Sequence, residues 1–228
     1  MSQPNVIRYP VNDCYTCVQG EGAQTGVAMV LLRLHGCAVG CPWCDTKETW
    51  EMDSSQEMTT LVDTLGANPR YTYLTAAEIA AHIGQNHQGP KWVLVTGGEP
   101  AQYELAPLVA ALHAANFRVA IETSGTEKGH LDANFDWVCV SPKLNMPGGK
   151  QVHLETLTQA DEIKHVVGRP ADIDNLDALL AAAQPPASTQ ICLQPVSTSP
   201  KATELCLETV MARGWRLSVQ THKYIGVK

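Results

Sequence analysis

Trp92-Val93-Leu94-Val95-Thr96-Gly97-Gly98-Glu99-Pro100 decides the fold. An apolar run of strand length ends in two glycines and a carboxylate, as a buried parallel strand does when it carries polar chemistry at its C-terminal end. The pattern repeats outward from this stretch. Strands are predicted at 27–35, 92–96, 118–122, 137–141, 162–166, 190–194 and 216–220, with helical patterns at 76–85, 105–116, 154–160, 173–183 and 202–213. Thr75 precedes Glu78 by three residues, a capping box, and Asn116 and Gly214 are suited to stopping helices. Polar residues follow the strands as Thr96-Gly97-Gly98-Glu99-Pro100, Glu122-Thr123-Ser124-Gly125, Ser141-Pro142-Lys143, Gln194-Pro195 and Gln220-Thr221-His222. In a barrel of parallel strands such ends converge on one face. A full eightfold barrel takes about 250 residues, so these 228 residues imply an α/β fold with an incomplete barrel of about six units.

A second stretch reads His35-Gly36-Cys37-Ala38-Val39-Gly40-Cys41-Pro42-Trp43-Cys44-Asp45-Thr46. Thiolates are soft ligands for zinc, copper(I) or iron–sulfur clusters, and Gly36 and Gly40 let a loop wrap a bulky inorganic core. A closed zinc site takes four protein ligands, so a zinc knuckle would recruit His35. Three thiolates on a four-iron cluster would instead leave one iron open. Spacing alone leaves both readings standing. Cys14 and Cys17 form a C-x2-C pair, half of a zinc site in principle, with no second pair at matching spacing. Cys139 and Cys192 lie in apolar strand-like runs and read as buried small hydrophobes.

C-x3-C-x2-C with an aromatic residue before its last cysteine, followed by Gly97-Gly98-Glu99 at a strand end, resembles the radical S-adenosylmethionine superfamily. The resemblance narrows to the 7-carboxy-7-deazaguanine synthase family, of the enterobacterial type with short cysteine spacing. Val18-Gln19-Gly20-Glu21-Gly22, Arg33-Leu34-His35-Gly36-Cys37, Cys44-Asp45-Thr46, Thr96-Gly97-Gly98-Glu99-Pro100, Glu122-Thr123-Ser124-Gly125, Ser141-Pro142-Lys143 and Gln220-Thr221-His222-Lys223 carry it. It covers nearly the whole chain.

This resemblance implies a magnesium-dependent, homodimeric lyase in a modified, incomplete barrel. The substrate would be 6-carboxy-5,6,7,8-tetrahydropterin and the product 7-carboxy-7-deazaguanine, formed by radical ring contraction with loss of ammonia, on the way to queuosine. It implies a 4Fe-4S cluster on Cys37, Cys41 and Cys44, and S-adenosylmethionine held by Trp43, Cys44, Asp45, Gly98, Glu99, Ser141, Pro142 and Lys143. Glu99 would meet the cofactor ammonium and Lys143 its carboxylate. Substrate contacts would come from Val18, Gln19, Gly20, Arg33 and Thr96 and from the terminal carboxylate of Lys228, with Glu21, Glu122, Gln194 and His222 as further candidates. Thr46 would take Mg2+, a hard ion that keeps several waters. An external, flavodoxin-like electron donor is implied as well.

Plainer readings stand beside these. Arg33 could pair internally with Glu122, His222 could be a core histidine, Thr46 a helix cap, and Gln19-Gly20-Glu21-Gly22 an ordinary turn. His113 and His153 read as helix-surface residues. Two other functions use the same cysteines: a glycyl-radical activase acting on a large protein substrate, and a zinc-stabilised binding module.

Composition narrows the classes. With 44% hydrophobic and 17% charged residues the chain reads as one globular domain, 1–228, with a substrate loop at 14–22, a cluster loop at 36–46 and a polar insertion or flap at about 51–74. A formal charge of −7 without a basic run argues against a nucleic-acid face. No apolar run is long enough to span a bilayer, and residues 1–13 are polar with two prolines, so a cytoplasmic location without membrane attachment is expected.

Overall fold

The computed structural model describes residues 6–61, 68–128 and 131–226. Nine strands form one sheet: β1 (Arg8–Val18), β2 (Ala28–Leu34), β3 (Thr72–Thr75), β4 (Trp92–Gly97), β5 (Arg118–Thr123), β6 (Trp137–Val140), β7 (Glu162–Val167), β8 (Gln190–Pro195) and β9 (Arg216–Leu217). Their order is β3-β1-β2-β4-β5-β6-β7-β8-β9. From β2 onward every neighbour is parallel, while β1 pairs antiparallel with both β2 and β3. The edge strands β3 and β9 do not meet, so the barrel stays open. Six parallel strands of at least four residues plus the two-residue β9 agree with the expectation of about six units.

Helices α1 (Ala76–Asn86), α2 (Ala106–Ala114), α3 (Leu154–Thr158), α4 (Pro170–Ala183) and α5 (Pro200–Arg213) belong to the expected segments, and α6 (Thr221–Ile225) follows β9. The capping box forms: Thr75 Oγ1 accepts from Glu78 N at 3.2 Å, and Glu78 Oε2 accepts from Thr75 N at 2.7 Å. One helical turn apart, Ile79 and Ile83 are buried on a single face of α1. Gly214 ends α5 in the left-handed region. Alternation along the strands splits the apolar side chains. Val93 and Val95 join the main core beneath the helices, whereas Leu94 meets Met29 and Ala120 on the opposite face.

Four expectations change. Residues 14–18 belong to strand β1, so the loop read as 14–22 begins at Gln19 and reaches Val27. Pro10, Asn12 and Asp13 disguise this strand, and a register irregularity between Val11 and Asp13 accommodates them. Asn12 is buried because its Nδ2 donates to Asn68 O (2.6 Å) and Arg70 O (2.7 Å). The insertion at 51–74 contributes most of β3 and the buried Tyr71, so its described part is built into the sheet; residues 62–67 lie outside the described residues. The strand expected at 216–220 stops at Leu217. Finally, Cys14 packs in the core beneath α1 while Cys17 packs with the opposite cluster, so the two thiols face away from each other and cannot share an ion.

Candidate active site

Backbone bonds shape the loop that leaves β2. Gly36 N donates to Thr49 O (2.7 Å) and Cys37 N to Trp50 O (3.1 Å), folding the chain back on itself; Cys44 N donates to Cys41 O (3.0 Å). The end of β4 presses against this loop, with Gly98 N donating to Leu34 O and Glu99 N to Gly36 O, both at 2.8 Å. A Cβ on Gly98 would stand 2.0 Å from Gly36 O, so glycine alone allows the approach. Cys37, Cys41 and Cys44 thereby line one cleft of about 990 Å³, its open mouth included. Burial pushes the Cys37 thiol up to about 11 and raises Cys41. A soft cation placed among them reverses that balance and ionises the thiols.

His35 turns away from the cleft. It is fully buried, with Nε2 2.9 Å from Glu51 O and its ring stacked on Tyr71 at 4.6 Å. Among the described residues the cleft therefore presents three cysteine sulfurs and no imidazole. That donor set fits a cluster with one open metal corner and leaves a zinc knuckle without the histidine that would complete it.

Charge in the cleft is arranged in two ways. Glu99 is buried, and both its oxygens are surrounded by neutral donors: Ala101 N (3.0 Å) and Thr123 Oγ1 (2.6 Å) on Oε1, Ser124 N (2.8 Å) and Ser124 Oγ on Oε2. Lys143 Nζ donates to Ser141 O (2.9 Å) and Ser141 Oγ. Burial lowers its pKa, although the Cys41 sulfur opposes the shift. Among the described residues neither Glu99 nor Lys143 has an opposite charge within ion-pair distance. Lys164, on β7, is the contrast: it is buried and donates to Glu21 Oε2 (2.7 Å) and to Glu122 Oε1. Gln220 Nε2 adds bonds to Glu21 Oε1 (2.8 Å) and Asp45 Oδ2 (3.2 Å). Gly22 N donates to Ser218 Oγ (2.8 Å), Ala23 N to Glu162 Oε2 (3.1 Å) and Thr221 N to Gly20 O (2.9 Å). The loop from Gln19 to Val27 is thus tied to the last strands of the open barrel.

Comparison with known proteins resolves the family. The Radical SAM superfamily model matches residues 31–184. The 7-carboxy-7-deazaguanine synthase of Escherichia coli (strain K12) is 44% identical over 223 residues, covering 97% of this chain and 100% of that protein. The chain belongs to the 7-carboxy-7-deazaguanine synthase family. The synthase of Buchnera aphidicola subsp. Schizaphis graminum is 33% identical over 96% of this chain and 99% of its own length. The crystal structure of QueE from Escherichia coli superposes with a TM-score of 0.89 at 44% identity, covering 94% of this chain and 95% of that one.

Of the residues expected to serve a member of this family, Cys37, Cys41, Trp43, Cys44, Asp45, Thr96, Gly98, Glu99, Ser141, Lys143, Glu21, Glu122 and Gln194 line the cleft together. Pro142 lines an adjoining hollow that shares Trp43, Val166 and Val196. Thr46 sits behind Cys44, with N 3.4 Å and Oγ1 3.7 Å from its sulfur, and its hydroxyl caps no helix. Arg33 lies behind Gly97 and donates to Tyr15 Oη (3.3 Å), while Glu122 takes Lys164 instead. Val18 is exposed at the end of β1, Gln19 Oε1 accepts from Glu21 N (3.2 Å), and Gly20 packs against a half-buried His222, which is therefore no core histidine. Lys228 lies outside the described residues. Lys164, Gln220 and Lys223 also line the cleft; Gln220 and Lys223 stood in a quoted stretch without a role, and Lys164 was missed from sequence. For Lys164 a signal existed: Glu162 and Lys164 alternate with the core residue Ile163, marking a polar inward face.

Proposed function

We propose that this chain is a lyase converting 6-carboxy-5,6,7,8-tetrahydropterin to 7-carboxy-7-deazaguanine with loss of ammonia, in queuosine biosynthesis. One observation carries the reading. Cys37, Cys41, Cys44, Glu99 and Lys143 gather on one cleft, in a chain 44% identical over 97% of its length to an enzyme of that name. A 4Fe-4S cluster on the three cysteines, with S-adenosylmethionine, supplies the electron and the organic radical that open the ring contraction.

The chain's own residues bind and orient. Among the described residues buried Glu99 and half-buried Lys143 have no opposite charge within ion-pair distance, and an amino-acid zwitterion such as the methionyl end of S-adenosylmethionine offers both. Gly98 keeps the wall narrow at this point, Ser141 orients the Lys143 ammonium, and Trp43, Asp45 and Pro142 flank the cofactor. Arg33 takes the pterin carboxylate, with Thr96 beside it and Val18, Gln19 and Gly20 as the substrate loop. Lys164 sets the positions of Glu21 and Glu122. Thr46, whose hydroxyl caps no helix, contributes to Mg2+ with waters and substrate oxygens completing the shell. The enzyme works as a cytoplasmic homodimer supplied by an external electron donor.

Anaerobic incubation of cluster-loaded protein with reductant, S-adenosylmethionine and the carboxytetrahydropterin, followed by mass analysis, tests the assignment. The deazaguanine acid is expected. Its absence from protein with a full iron and sulfide complement rejects the substrate.

A further inference from the structure

We propose that Cys14, His82 and His87 form a zinc site on the helix-covered face of the sheet, separate from the cluster loop. The sulfur and one nitrogen of each ring lie within 4.8 Å of one another, and the ring centroids are 5.8 Å apart. Three elements converge to produce this. Cys14, on β1, is buried among the core residues beneath α1. His82 stands on α1, and His87 caps its C-terminus with a non-helical backbone (φ −131, ψ 67).

The outer contacts suit metal ligation. His87 Nδ1 lies 3.0 Å from Thr16 Oγ1, two residues along the strand from Cys14, and His82 Nδ1 lies 3.3 Å from Asn86 Nδ2. Metal-binding histidines are held in this way at one ring nitrogen and bind through the other. The Thr16 hydroxyl accepts the His87 Nδ1 proton directly, whereas Asn86 Nδ2 also donates to His82 O (2.9 Å), so the acceptor contact is made at His87 and the His82 ring is steadied through the Asn86 amide. Zinc bonds of about 2.0–2.3 Å in a tetrahedron hold donors roughly 3.3–3.6 Å apart. The widest donor separation must therefore close by roughly 1.2–1.5 Å, within reach of side-chain rotation. One thiolate and two imidazoles form a borderline-soft set that suits zinc and disfavours magnesium or calcium, with water as the fourth ligand. The ion would pin the end of α1 to the strand that runs directly into the loop beginning at Gln19.

The test uses anaerobic, cluster-loaded protein, whose cluster cysteines are already occupied, equilibrated with zinc buffered at nanomolar free concentration. One zinc per chain beyond the iron is expected, together with a higher unfolding temperature. Cys14→Ser and His87→Gln should each weaken zinc retention at least tenfold while iron and sulfide content stay unchanged. Should Cys14→Ser fail to fold, His82→Gln at its half-buried position provides the second reading. Retention equal in wild type and variants, or no zinc retained even at micromolar free ion, overturns the site.

Discussion

Two sets of charge face the same cleft and are balanced differently. Lys164 is satisfied inside the chain by Glu21 and Glu122, residues 143 and 42 positions away in sequence. Among the described residues Glu99 has only neutral donors around it, and Lys143 only the carbonyl and hydroxyl of Ser141. The difference separates two tasks. A closed triad fixes the Gln19–Val27 loop to β5 and β7, and its energetics belong to the fold. Charges left unmatched in a low-dielectric wall favour a ligand that supplies the missing partners.

Removing Lys164 gives the largest expected effect. Lys164→Met leaves two carboxylates against a buried site without their cation, and breaking such a pair costs about 3–5 kcal/mol. Urea unfolding measures it; a loss below about 1 kcal/mol would mean that water already screens the triad, and the contrast with Glu99 and Lys143 would fail. The same triad predicts a pH signature. Burial raises the Glu21 pKa, but the charge of Lys164 and the hydrogen bonds from Lys164, Gln220 and Gln194 outweigh it and hold the carboxyl at about 2. The folded pKa lies below the ordinary 4.5, so the stabilisation is whole above 4.5 and is lost as pH falls from there through 2. In Glu21→Gln that part of the acid dependence should vanish.

His165 reports on the unmatched Lys143. Burial first, then the Lys143 charge, lowers the imidazole pKa from 6.5 to about 4, while Nε2 lies 3.0 Å from Asp172 O. The unfolded chain takes up the proton first, so stability present above 6.5 is lost as pH falls towards 4. At about 1.4 kcal/mol per pKa unit, the full loss is about 3 kcal/mol. His165→Gln should flatten the unfolding free energy between these limits relative to wild type. An identical slope in both proteins would show that another group titrates there. S-adenosylmethionine, by placing a carboxylate on Lys143, should move the His165 midpoint upward.

Lys143→Met sharpens the comparison from the ligand side. Losing a charged hydrogen bond costs about 1.5–3 kcal/mol, roughly 10–150-fold in cofactor affinity. Because no carboxylate of the described chain depends on Lys143, unfolding stability should change by less than about 1 kcal/mol. Calorimetric binding of S-adenosylmethionine and urea unfolding of the same variant decide it. A large stability loss with affinity retained would assign Lys143 to the fold and dissolve the distinction from Lys164.

This division also explains what the sequence made legible. The parallel strands were readable because β-branched apolar runs alternate with amphipathic helices, and the three cysteines and Gly97-Gly98-Glu99 were readable because each acts within a short stretch. Strand β1 was hidden by Pro10, Asn12 and Asp13; Asn12 is satisfied by Asn68 O and Arg70 O, and Asp13 Oδ1 accepts from Cys14 N (2.9 Å) beside the register irregularity. Lys164 was hidden and Gln220 carried no role, because what they do exists only as long-range contacts with Glu21, Glu122 and Asp45. Alternation alone could have shown that Lys164 points inward. It could not show which carboxylates meet it there.

The smallest effect is expected at an ion pair with better geometry than either buried set. Arg213 reaches Asp177 through both guanidinium nitrogens, Nη2 to Oδ2 at 2.9 Å and Nη1 to Oδ1, yet both side chains are more than a third exposed. Asp177→Asn keeps the shape and leaves Arg213 stacked over Trp215 at 4.7 Å, so it isolates the charge. Water screening limits such a pair to about 0.2–1 kcal/mol, and molar salt should erase the difference between variant and wild type. If Asp177→Asn instead cost as much as Lys164→Met, bidentate geometry would outrank burial, and desolvation could no longer be what separates the closed triad from the unmatched charges.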